Sequence, residues 1–140
     1  MMKRFVCMLG VVAVVLAAAL GTSRAGAGDE ASSIKDIMGK LHKGAKAPLN
    51  QLKAQLKADS LDWATIQGET KDFVILGAAL SKFDPPKGEA KAYKALAANY
   101  YTNAKALDDA AVKHDAAAVK TAFSKLSGSC KECHSAHKGQ

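Results

Sequence analysis

From residue 32 onward, apolar side chains return every three or four positions. That period predicts helices, and no stretch alternates as a half-buried strand would. Ile34, Ile37, Met38, Leu41, Ala45, Leu49, Leu52 and Leu56 make one continuous stripe. Ser32 or Ser33 stands where an N-cap belongs. Pro48 lies inside the stripe and should kink that helix or split it, because proline lacks an amide hydrogen and crowds the preceding turn. A second segment begins after Asp59-Ser60 and carries Trp63, Ile66, Thr70, Phe73, Val74, Gly77 and Leu80 on one side. It stops at Asp84-Pro85-Pro86-Lys87-Gly88, a strong breaker cluster. A third runs from about Glu89 to Val112, with Tyr93, Leu96, Ala97, Tyr100, Ala104, Leu107 and Ala111 inward. The fourth follows His114-Asp115, with Asp115 as N-cap and Val119, Ala122, Phe123, Leu126, Cys130, Cys133, His134 and His137 along its stripe. Four amphipathic helices joined by short loops predict an all-α fold, an antiparallel four-helix bundle.

Residues 1–27 follow a different pattern. Lys3 and Arg4 precede an unbroken apolar run from Phe5 to Leu20, and small residues follow it. Ser23-Arg24-Ala25 and Ala25-Gly26-Ala27 both satisfy the small-x-small rule of a signal peptide. The apolar run is about 16 residues long, short of the roughly 20 that a membrane-spanning helix needs. The expected organisation is a signal peptide over 1–27, cleaved near 25–27, then one domain over 28–140. The mature protein should be exported, periplasmic or beyond, and soluble.

Removing that leader changes the charge. The whole chain carries a formal +7, but Lys3, Arg4 and Arg24 leave with the leader, so the mature part is near +4. Its lysines are interleaved with Asp and Glu rather than gathered into a patch, which argues against nucleic-acid binding. Hydrophobic residues make up 49% of the chain and aromatics only 6%. Many inward positions are alanine or glycine, so the bundle either packs tightly or leaves space for a ligand.

Cys7 sits within the apolar run and should be lost with it, leaving Cys130 and Cys133. In an oxidising compartment such a pair could be a short-range disulfide or a redox motif. A redox motif wants a strand before it and a helix N-terminus under it, whereas this pair falls late in a helical pattern. Both readings leave His134 to chance. Cys130, Cys133, His134 and His137 also resemble a zinc set, but all four fall on one helix, and structural zinc ligands normally converge from two elements. Cys130-Lys131-Glu132-Cys133-His134 reads best as C-x-x-C-H, the signature of covalent haem attachment. Thiols three residues apart share a helix face, where each can form a thioether to one haem vinyl. The adjacent histidine then serves as proximal iron ligand.

An export signal, four helices and C-x-x-C-H near the C-terminus resemble the class II cytochromes c, the group of cytochrome c′ and its low-spin relatives. The resemblance implies one covalent haem c between the helices, bound through Cys130 and Cys133 with His134 on the iron. Two features depart from the family pattern. His137 and Lys138 stand where an aromatic and an arginine are common, and the first helix offers Asp36 and Lys40 where an arginine is common. The resemblance also places the distal residue on the first helix. Met38, on the apolar stripe, is the candidate distal ligand, and His42, one turn on, is the second choice. If neither binds, Leu41 would cover an open site able to take nitric oxide or carbon monoxide. His137 is expected to be a solvated C-terminal residue, and His114 a surface or cap residue.

The expected function is electron transfer without enzymatic activity. A five-coordinate gas-binding haem protein is the alternative, and a non-haem exported protein with a Cys130–Cys133 disulfide the second. The expected partners are haem, a transient acidic redox protein and, in a homodimer, a second copy of the chain.

Overall fold

The computed structural model describes residues 31–139. The expected leader, with Lys3, Arg4, Cys7 and Arg24, lies outside the described residues. Five helices follow in order, with no strand among the described residues: α1 Ile34–His42, α2 Pro48–Gln55, α3 Trp63–Leu80, α4 Ala90–Val112 and α5 Ala116–His137.

The first predicted helix is therefore two. Ser33 caps α1, its hydroxyl oxygen accepting from the Asp36 amide at 3.1 Å, while the Asp36 carboxylate accepts from the Ser32 amide. The chain leaves the helix after His42 and turns through Gly44, whose φ of +95° is open to glycine at no steric cost. Pro48 is then the first residue of α2, where a missing amide hydrogen costs nothing. Ala45, expected inward, is instead exposed in this turn. Asn50 and Gln51 of α2 brace the turn by donating to the carbonyls of Gly44 and Ala45.

Asp62 caps α3 by accepting from the amides of Ala64 and Thr65 and from the Thr65 hydroxyl at 2.6 Å. The α3–α4 link spans the predicted breaker. Between α4 and α5 the joint is shorter still. His114 takes φ +54°, the His114 amide donates to the Ala111 carbonyl, and the Asp115 amide donates to the Ala110 carbonyl. Those two bonds are a Schellman C-cap. Asp115 also caps α5 through the Ala118 amide. The His114 ring stacks on Trp63 of α3, centroids 4.8 Å apart, and meets Gln67. One residue thus ends α4, admits α5 and ties both to α3.

A single core joins the helices. Ile37, Leu41, Leu52, Ile66, Phe73, Leu76, Leu107 and Val119 are among its fully buried members. Gly77 is buried because the Tyr100 ring lies against it; a Cβ there would sit 3.2 Å from that ring. α4 packs against both α3 and α5, and α3 packs against α1 and α2. No Cα of α1, α2 or α3 comes within 8 Å of a Cα of α5. The bundle is therefore open along one seam, between α5 and the N-terminal helices.

His114→Val should destabilise the protein by about 1–2 kcal/mol in denaturant titration, because a β-branched residue tolerates the left-handed region poorly. Stacking on Trp63 is lost as well. A neutral result would show that the α4–α5 joint bears no strain.

The Asp62 carboxyl is held below its ordinary 3.8, first by the Thr65 hydroxyl and then by the Thr65 amide. A depressed folded value means that the cap stabilises above the unfolded value and is lost as pH falls through the folded one. Asp62→Asn should remove that part of the acid dependence in urea melts between neutral pH and pH 3.

Candidate functional site

The open seam encloses a cavity of about 690 Å³, within the roughly 300–1,000 Å³ usual for cofactor pockets. Cys130, Cys133 and His134 of α5 line it, and so do Met38 and His42 of α1. All five residues singled out from the sequence share this one space. Leu41 does not reach it: that side chain is fully buried in the core, because the helix turns it toward α3. The remaining wall is largely apolar and aromatic, with Leu80, Phe83, Tyr93, Leu96 and Tyr100.

Late position on α5 puts both thiols on the cavity side of one helix, half-buried and free. The Cys130 thiol donates to the Leu126 carbonyl one turn back, at 3.7 Å. Burial pushes both thiols above their ordinary 9.0; at Cys133 the neighbouring Cys130 and Glu132 add to it. A redox-active pair needs the opposite, a thiolate stabilised near neutral pH. No group of three or more His, Cys, Asp or Glu side chains converges as a metal site among the described residues.

His42 closes α1. Its Nδ1 lies 3.0 Å from the Met38 carbonyl. A carbonyl only accepts, so Nδ1 carries the hydrogen and Nε2 keeps its lone pair. Burial lowers the pKa of His42 below 6.5, the bond to Met38 opposes this, and charges on His134 and Lys53 lower it further. Where an arginine is common in the family, Asp36 and Lys40 pair with each other at 3.3 Å.

His137 departs from expectation. It is not solvated but buried, with 4% of its surface exposed. Its Nδ1 donates to the Lys87 carbonyl at 3.1 Å, and its ring meets Tyr93 edge-on at 5.5 Å. The physical reason is Gly88, whose φ of +81° and missing Cβ let the α3–α4 link lie against the end of α5. A Cβ at Gly88 would stand 2.6 Å from His137 Nδ1. The His137 position on the inward stripe was the sequence signal for burial; the partner, fifty positions away, was not visible there.

Two buried polar atoms of cavity-lining residues lack a partner: Tyr100 Oη and His137 Nε2. Tyr93, by contrast, donates to the Leu80 carbonyl at 3.0 Å, and burial pushes its pKa up to about 12. A buried polar group without a partner costs roughly 1–3 kcal/mol. Such orphans in the wall of an apolar cavity, beside two free thiols and a histidine, fit a large flat cofactor with polar edges.

Gly88→Ala should break the contact between the α3–α4 link and α5. The expected loss is about 1–3 kcal/mol of stability, together with faster amide exchange near residues 136–138. Unchanged exchange would mean that the link does not hold the helix end.

Residues 88–138 match the family model described as Cytochrome C′. Comparison with curated proteins and with solved structures finds no match. The matched span begins at Gly88, covers α4 and α5, and includes Cys130, Cys133, His134 and His137. Through that match the chain is similar to the class II cytochromes c over its last two helices, the part that carries Cys130, Cys133 and His134.

Proposed function

We propose that the protein is an exported monohaem c-type cytochrome that transfers electrons. One observation carries the reading: Cys130, Cys133 and His134 line a cofactor-sized cavity along the seam between α1 and α5. Cys130 and Cys133 would hold haem covalently. Each thiol would add its S–H across one vinyl C=C, breaking the S–H and π bonds and forming one S–C and one C–H bond, so no oxidant would be needed. His134 would bind the iron as proximal ligand. Lys35 and Lys138, also on the cavity wall, would supply positive charge for the haem carboxylates.

The other residues set the environment. Tyr93, Leu96 and Tyr100 exclude water from the inner wall, and a low-dielectric surround tunes a reduction potential. α1 offers two donors on its cavity side, the Met38 thioether and the His42 imidazole, one turn apart. Either would give the six-coordinate, low-spin iron that suits electron transfer. An iron left open there would bind nitric oxide or carbon monoxide instead. Residues 1–27 support export, and the dispersed lysines suit brief docking to an acidic redox partner.

Acid-acetone extraction of the matured protein should leave haem on the polypeptide, with a mass equal to the chain plus one haem. Cys133→Ala should weaken or abolish that attachment. Free extraction of haem, or the mass of bare polypeptide, would refute covalent binding.

A further inference from the structure

We propose that His42, rather than Met38, is the second axial ligand opposite His134, making the iron bis-histidine. The inference rests on the haem reading above and deepens it. His42 and Met38 occupy neighbouring turns of one helix face and line the same cavity, so proximity alone does not choose between them. Orientation does. The Met38 main-chain carbonyl fixes the His42 ring through Nδ1 at 3.0 Å, leaving Nε2 as the lone-pair nitrogen. A ligating imidazole is normally held this way, with its other nitrogen tied to an acceptor that sets tautomer and ring angle.

The backbone beneath His42 is fixed too. Asn50 Nδ2 lies 3.5 Å from the His42 carbonyl and 2.9 Å from that of Gly44. The turn made necessary by Pro48 thus sets the last residue of α1. Met38 has the opposite character: an unbranched side chain, partly buried, packed against the core cluster, which is what methionine does well as a filler. Met38 therefore contributes its carbonyl to the site, and His42 its nitrogen. The two imidazoles line the same cavity from opposite helices.

The test uses the full matured, haem-loaded protein. The wild type should be low-spin in both oxidation states, should bind carbon monoxide poorly, and should lack the near-infrared band of a thioether–iron bond. Met38→Leu keeps the carbonyl that orients His42, so its spectrum should stay low-spin. His42→Ala should become high-spin and bind carbon monoxide, and added imidazole should restore the low-spin spectrum. A thioether band in the wild type, or a high-spin Met38→Leu beside a low-spin His42→Ala, would overturn the assignment in favour of Met38. A high-spin wild type that binds carbon monoxide freely would overturn it in favour of an open site. The wild-type measurements stand even if a variant does not fold. Failure of the underlying haem reading is separate: it appears as wild-type protein carrying no covalent haem.

Discussion

Helices that pack directly lie about 8–10 Å apart, axis to axis. In this protein α5 has that relation with α4 alone, while α4 and α3 connect it to the N-terminal pair. The seam between α5 and α1 is therefore not closed by backbones packed in direct register, and the site's other features depend on it. Aromatic side chains from α4 and the α3–α4 link line it. Cys130, Cys133 and His134 line the α5 wall, and Met38 and His42 the α1 wall.

Keeping the walls apart requires firm ends. At one end, the α4–α5 joint uses a left-handed His114, stacked on Trp63, to bind three helices at once. At the other, Gly88 lets the α3–α4 link reach His137 and pin the last turn of α5. The cavity lies at this second end, where His137 itself lines it. Polar groups are placed accordingly: Tyr93 is satisfied by the Leu80 carbonyl, whereas Tyr100 and His137 each keep one unpartnered atom.

Much of this was legible in the sequence, and for identifiable reasons. The 3.6-residue period located the helices, and Ser33 and Asp115 marked two of their starts through the chemistry of capping, whereas Asp62, the cap of α3, was not singled out. Pro48 announced the interruption between α1 and α2. C-x-x-C-H named the wall of the cavity, and Met38 and His42 were picked out through the resemblance, which implies a distal residue on the first helix. Less was visible where tertiary partners decide. Leu76 is fully buried although it fell outside the stripe read along its helix. Ala45 kept the period yet lies exposed in a turn, since periodicity does not register where a helix ends. His137 looked solvated because it sits at the end of the last helix. Its burial depends on Gly88, forty-nine positions away, a relation that no local pattern encodes.

The separation of α1 from α5 also bears on the energetics of the whole chain. His42 and His134 lie about 90 residues apart in sequence, on helices that share no backbone contact. A metal bound by both would act as a cross-link and close a loop spanning most of the domain. In the chain-entropy account, closing a loop of that length removes roughly 4–5 kcal/mol of freedom from the unfolded ensemble. The stabilisation would thus arise where the native packing is thinnest, and it would act on the unfolded chain rather than on any contact in the folded one.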